Sequence, residues 1–297
     1  MNRTVRYIAL ARLPFHIVGI LPLALGAYLA ARSQHAFSIP VFLFSLAGVM
    51  LTITATHYNG ECYDVREDGM CARRTPFSSG TGLALTGEIA PAAIARGATL
   101  AAAAALAAGF ILQAGFKTGP LTVLLGSAGL AAGYFYSKPP LRLVKRGVGE
   151  FLIAFCYGWL LPACGSYTQA GYIHPLIPVI AVPVAFSTVN IIWINEILDL
   201  PQDRAAGKNH LVVRLGLARS VWIYRAFALA GACASLLAVS VLQVPDRLPA
   251  LFPALAASLA AAVLLDERMT RPRLLAACGL TLFVNIADSL ALFFLLS

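Results

Sequence analysis

The sequence contains two acidic motifs with the same spacing. The pattern ExxDxxxD occurs twice, 135 positions apart, and its acids are Glu61, Asp64, Asp68, Glu196, Asp199 and Asp203. Residues three, four and seven positions apart lie on one face of a helix, so each motif stacks three carboxylates in a stripe. Stacked like charges repel each other, and a bound cation reverses that effect. Because carboxylate oxygens, water and phosphate are the ligands that magnesium prefers, the motifs predict two magnesium-binding sites.

Basic residues accompany both motifs. Arg66, Arg73 and Arg74 follow the first, and Arg204 and Lys208 follow the second. Metal ions bridge phosphate oxygens, and fixed cations neutralise the remaining charge. A leaving diphosphate needs this neutralisation, because negative charge builds on its oxygens as the carbon–oxygen bond breaks. Acids, magnesium and basic side chains together predict a diphosphate-binding site.

The simpler interpretation of acids in a loop is a solvated face that pairs with nearby Arg and Lys. The distribution of the acids argues against it. The chain has 13 acidic residues, and seven of them fall in these two short stretches: Glu61, Asp64, Glu67, Asp68, Glu196, Asp199 and Asp203. Their concentration in matched register favours a site for chemistry.

The composition is that of a membrane protein. Hydrophobic residues make up 59% of the chain and charged residues 12%, against about 25% charged in a soluble domain. Mean hydropathy is +0.79. Apolar runs of spanning length, without the alternation of a barrel wall, predict an all-α membrane protein with nine transmembrane helices. The predicted spans are 8–31, 39–58, 95–115, 119–137, 149–169, 174–198, 220–243, 248–265 and 273–296. The first is expected to be a retained helix rather than a signal peptide.

The basic residues predict the orientation of these spans. With the N-terminus in the cytoplasm and the C-terminus outside, only Arg32, Lys117 and Arg247 of the 22 Lys and Arg residues lie on the outer side. Cytoplasmic loops accumulate positive charge, which supports this orientation and explains the net charge of +9 without nucleic acid. The expected location is a bacterial-type inner (cytoplasmic) membrane, with the acidic motifs toward the cytoplasm.

At the two motifs the chain resembles the UbiA superfamily of intramembrane prenyltransferases. That family carries two NxxxDxxxD motifs, on the loops after helices 2 and 6 of nine. The second motif fits fully, with Asn195, Asp199 and Asp203. In the first motif, Gly60 occupies the Asn position and Asn59 lies one residue earlier. This departure leaves the role of Asn59 open, while the metal-binding carboxylates match.

Other segments extend the resemblance over nearly the whole chain. Residues 74–80, 136–142 and 146–150 are similar to the family's loops, and residues 207–216 are similar to its 1,4-dihydroxy-2-naphthoate polyprenyltransferase branch. The resemblance implies one domain over 1–297. Its two related halves are expected at about 1–137 and 149–297. It also implies magnesium-dependent transfer of a prenyl group from an isoprenyl diphosphate to an aromatic acceptor in the bilayer, in menaquinone biosynthesis.

The residues expected to act follow from the motifs and the resemblance. The catalytic residues are Asp64, Asp68, Asp199 and Asp203, and Glu61 and Glu196 join them as metal ligands. The substrate-binding residues are Asn59, Arg73, Arg74, Tyr136, Lys138, Arg142, Asn195, Arg204 and Lys208. The role of Asp288, an ionisable residue in the last span, stays open.

Two alternative functions remain. Within enzymes, the acceptor could be another quinone precursor, a chlorin, a sugar phosphate, or the prenyl chain itself in a cyclisation. Outside enzymes, the chain could be a transporter that binds a divalent cation. Transporters place their coupling residues near the bilayer midplane, whereas these acids are expected at the cytoplasmic rim, which favours an enzyme.

Overall fold

The computed structural model of the protein describes residues 2–70, 74–77, 80–266 and 268–297. Within these ranges the regular structure is entirely helical, so the predicted all-α architecture is confirmed there. The α-helices are α1 Arg3–Ala11, α2 Ile17–Gln34, α3 Ile39–Tyr63, α4 Val65–Gly69, α5 Pro91–Phe110, α6 Thr122–Ser137, α7 Gly149–Phe155, α8 Leu161–Ala170, α9 Ile177–Ala205, α10 Leu211–Leu242, α11 Phe252–Leu264 and α12 Arg271–Leu296.

Eight helical segments of the described chain are long and apolar enough to cross a membrane. They are Thr4–Gln34, Ile39–Tyr63, Pro91–Gly115, Gly149–Ala170, Ile177–Ala205, Leu211–Leu242, Pro245–Leu264 and Arg271–Leu296. The remaining predicted span, 119–137, contains α6, which is 16 residues long. At about 1.5 Å per residue, α6 is shorter than the hydrocarbon core of about 30 Å. The count of nine spans and the orientation of the termini therefore stay predictions.

Proline marks the start of several of these helices. Pro91, Pro178 and Pro272 occupy the first or second helical position of α5, α9 and α12. Proline fits there because its ring fixes φ near the helical value and its missing N–H has no partner to lose. The starts of these three helices are thus specified by the local sequence.

Helices α2 and α8 pack with their backbones in direct contact. A Cβ added to Gly165 would lie 2.0 Å from the carbonyl oxygen of Leu23, and one added to Gly26 would lie 1.8 Å from that of Pro162. Small residues allow such an approach between membrane helices, where van der Waals packing drives association. This contact fixes one wall of the cavity described below.

The first prediction concerns this contact. Gly165→Ala is expected to lower the melting temperature of the purified protein in detergent, because the new methyl group overlaps backbone atoms that cannot move aside. Overpacking of this kind costs about 1–3 kcal/mol. Gly115→Ala is the matched control, since its Cβ would meet only the Ile111 side chain, at 3.8 Å. Equal melting temperatures for the two variants would contradict the close packing.

A buried cluster and an interhelical hydrogen bond hold the helices that carry the acidic motifs. Trp193 and Ile197 of α9 pack against Val212 and Tyr224 of α10, and α11 and α12 complete this cluster. Near the first motif, the Tyr58 hydroxyl of α3 donates to a backbone carbonyl of α1 at 2.9 Å. The ends of α3 and α9 that carry the motifs are therefore held in place by contacts with α1 and with α10 to α12.

Candidate active site

A cavity of about 410 Å³ lies among α2, α3 and α5 to α9. Most of its wall is apolar, formed by side chains such as Phe15, Ile53, Leu130, Ile153 and Ile192. Its polar residues include the acids of both motifs, namely Glu61, Asp64, Asp68, Glu196, Asp199 and Asp203, together with Tyr136, Asn195 and Lys208. The structure thus brings the two motifs, 135 positions apart in sequence, to one cavity.

The first motif spans a break in the helix. Helix α3 ends at Tyr63, and Asp64 leaves the helical conformation at φ −103° and ψ 15° before α4 begins. The chain nevertheless continues in turns, because the Asp68 N–H donates to the Asp64 carbonyl at 2.9 Å. The predicted single stripe of carboxylates is therefore divided between the last turns of the long helix α3 and the short helix α4, yet all three acids line the cavity.

The buried carboxylate of Asp64 would be stabilised by a nearby cation. Its Oδ2 accepts a hydrogen bond from the Ser137 hydroxyl at 2.6 Å, while its buried Oδ1 has no hydrogen-bond partner among the described residues. Burial raises the pKa of Asp64, and the nearby ammonium of Lys208 opposes that rise. A buried carboxylate oxygen without a partner is a suitable ligand for a hard divalent cation.

Asp68 lies beside the loop that follows the first motif. Burial, with the nearby Asp64 and Glu61, raises its pKa to about 7. A Cβ on Gly80 would lie 2.6 Å from Asp68 Oδ2 and from Glu61 Oε2, and the φ of Gly80 is +57°. Only glycine adopts such a conformation readily, so Gly80 lets the loop backbone pass directly over the two carboxylates.

Glu61 fastens that loop. Its Oε2 accepts from the Thr81 N–H at 2.7 Å, and its Oε1 accepts from the Thr81 hydroxyl at 2.8 Å. The Ala84 N–H donates to Oε1 at 3.5 Å. Both oxygens are thus used by the protein itself, which gives Glu61 a positioning role beside its predicted role as a metal ligand.

The second motif is fully helical. The hydropathy pattern predicts that this span ends at residue 198 and that the motif lies in the following loop, whereas α9 continues to Ala205. Asn195, Glu196 and Asp199 line the cavity from this helix. Asp203, in the last turn, accepts from Lys208 Nζ at 2.8 Å and from His210 Nε2 at 2.9 Å.

Lys208 connects the two motifs. Burial alone would lower its pKa, but the carboxylates of Asp203, Asp64 and Asp199 outweigh that effect and raise the pKa above its ordinary value. Lys208 therefore stays charged over the whole physiological pH range. A fixed positive charge between the two acidic motifs is well placed to bind a phosphate.

Five of the predicted substrate-binding residues lie outside the cavity wall, as far as the structure describes the chain. The Asn59 amide donates to the Tyr134 carbonyl at 2.8 Å and so joins α3 to α6. The Lys138 ammonium lies 4.1 Å from the centre of the Tyr134 ring. Arg204 is exposed. The others are Arg74, whose guanidinium lies against Gly82, and Arg142, with a left-handed φ of 45°. Predicted Arg73 lies outside the described residues.

The structure also places residues at the site that the sequence analysis did not single out. Arg12, counted there only toward the orientation, lines the cavity and interacts electrostatically with Glu61, Asp68 and Asp199. Its guanidinium donates to the Pro76 carbonyl at 3.2 Å. A basic residue inside the predicted first span was the signal that could have revealed it. His210 offered a weaker signal, its position two residues after Lys208.

Fold and site together define a helical membrane protein whose cavity joins acidic groups to an apolar interior. The family model described as the UbiA prenyltransferase family matches residues 20–287. The chain belongs to the UbiA prenyltransferase family, and the resemblance at the two motifs is confirmed at that level.

Curated relatives match over part of their length. The 1,4-dihydroxy-2-naphthoate octaprenyltransferase of Bacillus subtilis is 28% identical over 93 residues, 31% of this chain and 30% of that protein. The chloroplastic 2-carboxy-1,4-naphthoquinone phytyltransferase of Arabidopsis thaliana is 25% identical over 223 residues, 72% of this chain and 56% of that protein. The chain thus matches less than a third of the Bacillus relative's length.

Among solved structures, the fold is similar over nearly the whole chain. The UbiA homologue from Archaeoglobus fulgidus bound to DMAPP and Mg2+ has a TM-score of 0.70 at 17% identity, covering 97% of this chain and 99% of that one. The apo UbiA homologue from Aeropyrum pernix K1 has a TM-score of 0.70 at 15% identity, covering 94% of this chain and 97% of that one. At these identities the likeness establishes the common fold.

Proposed function

We propose that this protein transfers a prenyl group from an isoprenyl diphosphate to an aromatic acceptor, with magnesium at its two acidic motifs. One observation carries the proposal: the acids of both motifs and Lys208 line one cavity whose remaining wall is mostly apolar. The acidic part of this cavity suits a metal–diphosphate group, and the apolar part suits a hydrocarbon chain.

The residues present fit magnesium. Asp64, Asp68, Asp199 and Asp203 supply hard oxygen ligands, and Asp64 Oδ1 is buried without a hydrogen-bond partner in the described chain. When bound there, magnesium would supply positive charge that neutralises the charge developing as the diphosphate leaves. The Archaeoglobus fulgidus homologue bound to DMAPP and Mg2+ supports the same assignment.

The protein's own residues contribute charge and exclude water. Lys208, held by Asp203, and Arg12, facing the first motif, place positive charge beside the departing diphosphate. Neutralising the leaving group stabilises the transition state of carbon–oxygen cleavage. The ring of Tyr136 lines the cavity and can face the allylic cation that results. Apolar walls protect that cation from water until the acceptor attacks it.

The acceptor in this proposal is 1,4-dihydroxy-2-naphthoate, which places the enzyme in menaquinone biosynthesis. The similarity of residues 207–216 to that branch supports it, and so do the names of the Bacillus and Arabidopsis relatives. In this reaction the acceptor loses its carboxylate as the ring recovers aromaticity. A chlorin acceptor is the main competitor, because the chlorophyll synthase of Arabidopsis thaliana is 30% identical over 107 residues.

A panel of substrates tests the proposal. Purified enzyme in detergent with magnesium would be incubated with prenyl diphosphates of several lengths and with naphthoate, hydroxybenzoate or chlorophyllide acceptors. We expect mass spectrometry to detect a prenylated, decarboxylated naphthoquinol. A product with another acceptor would overturn the menaquinone assignment alone. Loss of diphosphate without a coupled product would indicate a cyclase, and no turnover of any donor would refute the proposed reaction.

The proposal includes an orientation and an architecture. Nine transmembrane helices place the N-terminus and the motifs on the cytoplasmic side of a bacterial inner membrane and the C-terminus outside. Two related halves, about 1–137 and 149–297, each contribute one acidic motif. The positive residues of the inner loops support this arrangement.

Labelling of Cys71, which lies outside the described residues, provides the second prediction. In a variant whose only cysteine is Cys71, a membrane-impermeant maleimide should react in inside-out vesicles and not in intact cells. Asp246→Cys in a background without other cysteines is the control, because Asp246 lies in the predicted outer loop and should react from outside. Reversed labelling of the two cysteines would show that the topology is the inverse of the predicted one.

A further inference from the structure

Three buried side chains converge beside the second motif. Glu150 lies in the first turn of α7, Glu196 lies on α9, and His210 immediately precedes α10. Their relative exposures are 2%, 8% and 1%. One ligand atom from each lies within 4.8 Å of the others. The motif spacing predicts Glu196 as a magnesium ligand and gives no link to Glu150 or His210, which lie far from it or outside the motif in sequence.

One polar atom of each side chain lacks a hydrogen-bond partner. In the part of the chain that the structure describes, Glu150 Oε2, Glu196 Oε2 and His210 Nδ1 are buried without one. The second polar atom of Glu150 and of His210 has a partner: Glu150 Oε1 accepts from the Leu211 N–H at 2.8 Å, and His210 Nε2 contacts Asp203 Oδ2 at 2.9 Å. Unsatisfied buried polar atoms are costly, so three that face each other call for an occupant.

The hydrogen bond to Asp203 sets the chemistry of the imidazole. A carboxylate oxygen accepts, so His210 Nε2 carries a proton, and Nδ1 lies 3.4 Å from Glu196 Oε2, where it can bind a cation or carry a second proton. A histidine that binds a metal through one nitrogen commonly donates the other N–H to a carboxylate. Asp203 thus orients His210 as such a partner would orient a metal ligand.

We propose that Glu150, Glu196 and His210 bind one divalent transition metal of the zinc class, at a site separate from the magnesium ligands Asp64, Asp68 and Asp199 and adjacent to Asp203, which contacts His210. Two carboxylates and one imidazole balance the charge of such an ion. Zinc takes oxygen and nitrogen ligands at about 2.0–2.2 Å, and two tetrahedral ligands at that distance lie roughly 3.4 Å apart. The spacing of Nδ1 and Oε2 fits this value.

The ligand types distinguish this site from the magnesium sites. Imidazole suits zinc, iron, nickel and copper, whereas magnesium favours carboxylate, carbonyl and water. Glu196 and His210 also line the cavity, so an ion can reach the three side chains from the cavity. A bound ion would join α7, α9 and the start of α10, and would thereby hold Asp203 and Lys208 in place.

The competing occupant is a proton, either shared by the two carboxyl groups or carried on His210 Nδ1. Measuring whether the protein retains a metal distinguishes a bound metal ion from a proton. Protein with its affinity tag removed would be stripped with chelator, loaded with zinc in excess magnesium, and passed through a desalting column. We expect wild type to retain about one zinc ion per chain by mass spectrometry of the metal. Retention of none would overturn the proposal in favour of a proton.

Variants then locate the ion. His210→Asn and Glu150→Gln should each weaken zinc binding by more than about tenfold, as loss of a metal ligand or its partner does. Asp64→Asn, at the magnesium site, and Asp288→Asn, a buried acid bonded to Ser235, should retain zinc. Cobalt loaded into wild type adds a visible spectrum that both ligand variants should lose. Zinc loss in Asp64→Asn with retention in Glu150→Gln would refute the site. These measurements use no prenyl substrate, so they stand apart from the proposed reaction.

Discussion

Replacement of Asp64 or Asp199 by asparagine is expected to reduce turnover by about 100-fold to 10,000-fold. Charge stabilisation by a metal is worth several kcal/mol in the transition state, and each 1.36 kcal/mol is about tenfold in rate. Asparagine keeps the size of the side chain and, at position 64, an oxygen that can accept from the Ser137 hydroxyl. What it removes is the negative charge that holds the cation. Steady-state kinetics with saturating magnesium and prenyl diphosphate measures the effect.

The stability of the same variants separates a metal site from a structural one. Burial already opposes ionisation of Asp64, so the neutral side chain should leave the melting temperature without ligand level or slightly higher. Wild type should gain stability with magnesium and prenyl diphosphate, because a ligand that binds only the folded state stabilises it. The variants should lack this gain. Asp246→Asn, an exposed acid outside the cavity, is the control that should behave as wild type.

If both variants kept near-normal turnover and the same ligand-induced gain in melting temperature, the motifs would be no more than a charged face. The proposed role of magnesium would then fail. A variant that lost turnover and also unfolded without ligand would indicate a structural role for that acid. The comparison with Asp246→Asn distinguishes these results from a general effect of lost negative charge.

The acidic motifs were predictable because their information is local. Spacing along a helix places Glu196, Asp199 and Asp203 on one face, and all three line the cavity from α9. The end of α9 was misjudged because polar residues after residue 198 resemble a loop when hydropathy alone is considered. The helix continues because residues that follow it stabilise its last turn, through the contacts of Asp203 with Lys208 and His210.

The tertiary contacts of the site were not predictable from local patterns. Arg12, directly after α1, approaches the first motif because α1 packs beside α3, through contacts such as Tyr7 with Tyr58, whose positions differ by 51. Lys138 carried the right charge, but it contacts the Tyr134 ring four residues earlier, at the end of α6, and does not line the cavity. Sequence spacing gives the face of a helix on which a residue lies, whereas the partner of that face depends on the packing of the whole bundle.

Complete removal of divalent ions is expected to abolish turnover, and magnesium alone should restore it. The four motif aspartates line the cavity that is proposed to bind the diphosphate, and without a cation their charges would repel that polyanion. Calcium should restore less, because it prefers more ligands at longer distances, about 2.3–2.6 Å against 2.0–2.1 Å for magnesium.

The same titration distinguishes the two kinds of metal site. Zinc added alone to stripped enzyme should raise the melting temperature through Glu150, Glu196 and His210 without restoring turnover, since those residues lie outside the group proposed to bind the diphosphate. Magnesium added alone should restore turnover with a smaller change in melting temperature. Full activity after exhaustive chelation would rule out metal-dependent transfer. Carboxylates such as those of Asp64 and Asp199 favour magnesium, whereas imidazole favours zinc. Turnover restored by zinc and not by magnesium would therefore indicate that the catalytic ion binds at Glu150, Glu196 and His210.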